Sequence, residues 1–180
     1  LDWGSGAGGV ARYAVRDSAW NYTGADIDSD NVAWCNENLK PHPFVAIPLN
    51  PPTSFADRSF DMIFGISVVT HLSETDQFKW LAELRRILAP DGLCLLSVLG
   101  GQAIAKDANL MHAQSAVSRK GFVFGEGEHK IGQIVGKPLY YGTTYHSESY
   151  VRDTWSEWFE IVDYVPAALS HQDMVVMRPR

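Results

Sequence analysis

The opening stretch Leu1-Asp2-Trp3-Gly4-Ser5-Gly6-Ala7-Gly8-Gly9 places glycines at 4, 6 and 9, so it satisfies G-x-G-x-x-G, with an acid two residues ahead of the first glycine. A loop of this kind lets backbone N–H groups and the N-terminus of the next helix approach a ligand where a Cβ would block it. The spacing alone is weak, because a plain tight turn reads the same way. Asp26 strengthens it, since Tyr22 to Ala25 reads as a second strand. A carboxylate at the end of that strand can accept both hydrogen bonds of a ribose diol. Asp28, two residues on, reads equally well as a helix N-terminal charge. His71, just after a fourth apolar strand, is the first choice for a general base, because strand ends on that side of an open α/β sheet face the ligand crevice. A capping or packing role is the plain alternative. His146 and His112 follow it. The six histidines show no H-x-x-x-H spacing and the cysteines no C-x-x-C, so no metal site is expected.

The elements that must position these groups alternate between strand and helix signals, the pattern of a parallel sheet with helices on its faces. Leu1 to Trp3 ends strand one, and Val10 to Arg16 has helical spacing. Ser29 can cap a helix that Pro41 stops. Phe44 to Leu49 is strand three, and Phe60 to Ile66, nearly all apolar, is strand four, buried on both faces. Ser73 caps a helix whose Phe78, Leu81, Leu84, Ile87 and Leu88 form one stripe. Pro90, Asp91 and Gly92 then turn the chain into strand five, Leu93 to Leu99.

From Gly100 to Tyr150 the composition turns rich in Gly, Ser, His and Tyr. A helix near Asp107 to Ser118 and extended pieces at Phe122 to Phe124 and Leu139 to Tyr145 are expected there. So long a stretch of weak periodicity reads as a lid or binding segment over 101–150. Its Tyr140, Tyr141 and Tyr145 can wall an acceptor pocket; packing in a hairpin accounts for them equally well. Ser147 caps a short helix, and the runs Phe159 to Pro166 and Met174 to Met177 close the chain as an antiparallel hairpin. Trp155, Trp158 and Phe159 read as core, and Trp80 as core or interface.

At 180 residues, with 46% hydrophobic and 20% charged, the chain is long enough for one domain with one sizeable core. A formal charge of -6 and a single basic pair, Arg119-Lys120, argue against a nucleic-acid partner. Cys35 and Cys94 sit in apolar patterns and read as buried thiols of a reducing, cytoplasmic compartment. No apolar run approaches the roughly 18 residues that span a bilayer, so no membrane insertion is expected. Residue 1 is Leu and the chain begins within a strand, so a longer parent protein is expected.

Glycine loop and Asp26 suit a nicotinamide-dependent oxidoreductase as well as other adenosyl ligands. The stretch LDWGSGAGG resembles motif I of class I S-adenosylmethionine-dependent methyltransferases, and GADID the end of their second strand. SFADRSFDMIFGISVVTHL with WLAELRRILAPDGLCLLSV is similar to their fourth strand, following helix and fifth strand. FEIVDYVP with QDMVVMRP resembles their terminal antiparallel pair, and the layout is nearest to a bacterial group often found beside glycosyltransferases. Two small departures are Ser5 for a frequent Cys and Asp91 for a frequent Gly. The resemblance implies a Rossmann-like doubly wound α/β fold with seven strands in the order 3-2-1-4-5-7-6, the last antiparallel, with the lid inserted between strands five and six. It implies S-adenosylmethionine as cofactor and S-adenosylhomocysteine as product. Asp2 would orient the methionine end, with Gly4, Ser5 and Gly6 along it. Asp26 would hold the ribose, Ile27 lie against the adenine, Asn50 and Phe55 stand at the adenine edge, and Ser67 beside the methionine. The acceptor would be a small molecule, by analogy a hydroxyl of a sugar or glycan intermediate. A non-catalytic cofactor-binding module is the remaining alternative.

Overall fold

The computed structural model describes residues 1–14, 20–106, 117–126, 132, 136 and 140–180. The expected helix over Asp107 to Ser118 falls almost wholly outside these residues, as do His112 and Leu139.

Strands β1 (Asp2–Trp3), β2 (Gly24–Asp26), β3 (Phe44–Ala46), β4 (Phe60–Gly65) and β5 (Leu88–Val98) pair in parallel. The hairpin β8 (Phe159–Leu169) and β9 (Gln172–Pro179) completes a seven-stranded sheet, β3-β2-β1-β4-β5-β9-β8. Only β9 runs antiparallel, against both β5 and β8. With the separate pair β6 (Phe122–Glu126) and β7 (Gly142–His146) counted apart, this is the expected order.

Helices among the described residues include α1 (Ala11–Ala14), α2 (Ser29–Asn38), α3 (Glu74–Ile87), α4 (Gly101–Lys106) and α5 (Glu148–Thr154). Ser73 caps α3 by accepting from Asp76 N–H, and Ser147 caps α5 through Tyr150 N–H, each satisfying a donor that the first turn leaves open. At α2 the cap is Asp28 rather than Ser29, because its carboxylate reaches the N–H groups of both Asp30 and Asn31. Strand β5 starts five residues earlier than expected, at Leu88. Leu88 pairs with Phe60 and Leu93 with Met62, so Pro90-Asp91-Gly92 is a bulge inside the strand. Helix α4 has no forerunner in the sequence reading.

The main core joins Ile63, Leu96, Val175 and Met177 of the sheet to Leu81, Leu84 and Ile87 of α3, with Val151 and Trp155. Trp155 and Phe159 are core as expected, and Trp158 stacks on Phe78 with ring centroids 5.2 Å apart. Cys35 and Cys94 are both buried free thiols. Among the described residues no helix is long and apolar enough to cross a membrane.

Because Leu84 is only 1% exposed, truncating it removes packing that neighbours replace only in part. Leu84→Ala is expected to cost about 2–5 kcal/mol, read as a lowered urea midpoint at unchanged slope.

Candidate functional site

A cavity of about 290 Å³ opens where β1 to β4 end. Its floor is Trp3, Gly4, Asp26 and Ile27, its walls include Ile47, Leu49, Ser67 and Trp80, and Tyr140, Tyr141 and His71 also line it. The lining is mainly apolar with few polar groups, the make-up of a small-molecule site.

The glycine loop is shaped by need. Gly4 has φ +79°, and a Cβ there would stand 2.4 Å from Val68 Cγ2, so only glycine lets the chain turn beneath Val68. Gly6 has φ +51° with nothing within 4 Å of a Cβ position, so it leaves open space above the loop. Asp26 fastens the arrangement. Its Oδ2 accepts Gly6 N–H at 2.7 Å and its Oδ1 accepts Asp28 N–H at 2.9 Å. Each oxygen keeps a lone pair for a ligand, and the side chain lines the cavity. Asp28 also lines the cavity, and it serves as the α2 cap, the helix N-terminal role that the sequence offered for it.

Asp2 lies under the loop and accepts Tyr22 O–H at 2.5 Å. Burial, opposed by that hydrogen bond, pushes its carboxyl from 3.8 up to about 6. A buried anion that weakens the fold at neutral pH is the kind of cost found at functional sites. Ser5 Oγ is buried with no hydrogen-bond partner among the described residues, and so is Asn50 Oδ1. Ser67 carries φ +58°, a strained conformation for a residue with a side chain. It is held by Ser97, whose Oγ accepts Ser67 N–H at 2.7 Å, and by the Gln172 side chain.

His71 ends a 3₁₀ turn, Val69–His71, directly after β4. Its Nδ1 lies 2.9 Å from Gly142 O, and its ring meets Tyr141 edge-on at 6.4 Å. Tyr140 O–H donates to Leu49 O at 2.7 Å, which ties this part of the 101–150 segment to the chain after β3.

Of the expected site residues, Gly4, Asp26, Ile27, Ser67 and His71 line the cavity, whereas Asp2, Ser5, Gly6, Asn50, Phe55 and His146 do not. Phe55 packs edge-on against Phe60 at 5.0 Å and does not line the cavity. The reason is Glu83 on α3, which accepts Thr53 N–H at 2.7 Å and Thr53 O–H at 2.6 Å and pins this stretch to the helix. Burial pushes the Glu83 carboxyl up, but hydrogen bonds from Arg86 and Thr53 outweigh it and hold it below the usual range. His146, the second choice as base, is fully buried among Phe122, Tyr150 and Trp155, and burial pushes it down to about 3. It cannot reach the cavity to take a proton. Conversely Trp80, expected as core or interface, is also a cavity wall, tilted on Trp3 at 5.1 Å. It shares one face of α3 with the buried Leu84 and Ile87. Among the described residues no cluster could hold a metal ion.

Residues 1–96 match the methyltransferase domain family. A 2-methyl-6-phytyl-1,4-hydroquinone methyltransferase of Synechocystis is 28% identical over 99 residues, 54% of this chain and 30% of that protein. The chain thus matches less than a third of that relative's length. Among solved structures, the PH0226 protein of Pyrococcus horikoshii superposes over 100% of this chain and 81% of its own, with TM-score 0.69 at 17% identity. The 1,6-didemethyltoxoflavin-N1-methyltransferase of Burkholderia thailandensis, solved with S-adenosylhomocysteine, covers 99% of this chain and 69% of its own, with TM-score 0.66 at 18% identity. Similarity at these identities establishes the fold.

The raised Asp2 pKa has a testable sign. Between pH 3.8 and about 6 the folded chain holds a proton that the unfolded chain has released, so this group's contribution falls as pH rises through that window. Asp2→Asn removes the buried charge. It is expected to raise stability by up to about 3 kcal/mol above pH 7, with the gain fading to nothing near pH 4, measured by urea unfolding across pH.

Proposed function

Because the chain belongs to the methyltransferase domain family, we propose that it transfers the methyl group of S-adenosylmethionine to a small-molecule acceptor, through a hydroxyl of a sugar or glycan intermediate. The observation that carries the reading is Asp26, a carboxylate fixed at the cavity floor by Gly6 and Asp28 N–H groups with lone pairs to spare.

The residues present fit that cofactor. Asp26 would accept both ribose hydroxyls. Ile27, with Ile47 and Leu49, offers an apolar slot for adenine, and Asn50 Oδ1, beside Leu49, lacks the donor that an exocyclic amine would bring. The methionine end would run along the glycine loop, where Gly6 has nothing within 4 Å of its Cβ position, toward Ser67 of the cavity wall. When bound, the cofactor supplies a sulfonium methyl open to in-line attack.

The chain's own contribution is positioning, exclusion of water and removal of a proton. A carbonyl oxygen only accepts, so Gly142 O requires His71 Nδ1 to carry the hydrogen. In neutral imidazole this leaves Nε2 bare, the form needed to take a proton from an attacking hydroxyl. Tyr140 and Tyr141 offer aromatic walls on which a sugar ring can stack. A cavity of about 290 Å³ is small for a cofactor and an acceptor together, so the acceptor inserts only its reacting end.

The test is transfer of labelled methyl from S-adenosylmethionine into a panel of sugars and nucleotide sugars, alongside binding of S-adenosylhomocysteine. Asp26→Ala is expected to weaken that binding about ten- to hundredfold, the worth of a charge-assisted hydrogen-bond pair. His71→Ala is expected to lower turnover about 10²- to 10⁴-fold with binding unchanged. Binding without transfer to any acceptor would make the chain a cofactor-holding module. Binding of NADH in its place would end the reading.

A further inference from the structure

We infer that strand β7 selects the working tautomer of His71, and that Gln77 and Thr144 are the positioning residues that hold strand and histidine in register. The inference rests on the reading of His71 as the base.

Gln77 is fully buried on α3. Its Nε2 donates to Val69 O at 3.0 Å and to Leu72 O at 3.1 Å, bracketing the 3₁₀ turn that ends in His71. With both amide hydrogens committed, Gln77 presents Oε1 to His146 Nε2 at 2.9 Å, and an amide oxygen only accepts. His146 therefore donates from Nε2, and its burial among aromatic rings keeps it neutral. Thr144 O–H donates to Leu72 O at 2.7 Å. Gly142, Thr144 and His146 are alternate residues of β7, so one edge of pleat meets His71, Leu72 and Gln77 in turn.

These three contacts join α3, the 3₁₀ turn and β7. A buried glutamine and a buried threonine are expensive unless satisfied, and here every hydrogen they donate fixes the turn or the strand. The outcome is that Gly142 O arrives at His71 Nδ1 rather than at a solvent molecule. A histidine free of that carbonyl would exchange its proton between the two nitrogens. The fraction with a bare Nε2 would then fall, although the cofactor floor at Asp26 would be untouched.

The experiment reads the ring nitrogens of His71 by ¹⁵N NMR in the whole chain, assigned by their loss in His71→Ala, together with turnover and S-adenosylhomocysteine affinity. The wild-type protein is expected to show hydrogen on Nδ1 and none on Nε2. Thr144→Val removes the hydroxyl at constant shape. It should mix the two tautomers and lower kcat about tenfold, with KM and cofactor affinity within about twofold of wild type. Thr144→Ser, which keeps the oxygen, should restore both readouts, and Gln77→Met should behave as Thr144→Val does. A wild-type signal with hydrogen on Nε2 overturns the proposal, as does a Thr144→Val protein with an unmixed signal and full kcat. If His71→Ala remains fully active while Thr144→Val still mixes the tautomers, the positioning stands and the base assignment fails.

Discussion

The carboxylate of Asp26 ties the ligand face to one point. It receives a hydrogen bond from the glycine loop after β1 and another from the chain entering α2, so two connections that would otherwise move separately share an anchor. The parallel pairing of β1 with β2 makes this possible, because it brings both strand ends to the same edge of the sheet. The glycines at 4 and 6 then follow as requirements of that geometry. Gly4 must pass beneath Val68, and Gly6 takes a φ of +51° that L side chains rarely adopt.

Around this floor the chain spends polar groups on placement. Glu83 holds the stretch after β3 against α3, Ser97 and Gln172 keep Ser67 in a strained turn, and Gln77 with Thr144 fixes the turn carrying His71. The contacts of Glu83, Ser97, Gln172 and Thr144 join residues thirty or more apart in sequence. The large apolar cluster under α3 supplies the stability against which such strain is tolerated. Asp2 shows the same balance in electrostatics, since its burial works against the fold at neutral pH while placing a carboxyl beneath the loop.

Local signals carried much of the architecture. Strand β4, helix α3 with its Ser73 cap and the β8–β9 hairpin were legible because apolar period and capping chemistry are properties of short windows. The glycine loop and Asp26 were legible as a pair for the same reason. Phe55 was misread because its direction depends on Glu83, thirty residues away from Thr53. His146 was misread because nothing near it in sequence shows that Gln77 and three aromatic rings enclose it. Gln77 had no forerunner in the sequence reading, because a polar residue on a helix does not show what its amide serves. The pairing of β6 with β7 joins strands separated by the weakly periodic segment, where local pattern carries little information.

The central claim is that the loop after β1 and Asp26 together grip an adenosyl sulfonium compound. A crystal structure of the chain grown with S-adenosylhomocysteine tests it most directly. The account predicts both ribose hydroxyls within hydrogen-bond distance of the Asp26 carboxylate and the adenine ring against Ile27. An empty cavity at saturating ligand, or adenosine bound away from β2, would contradict it.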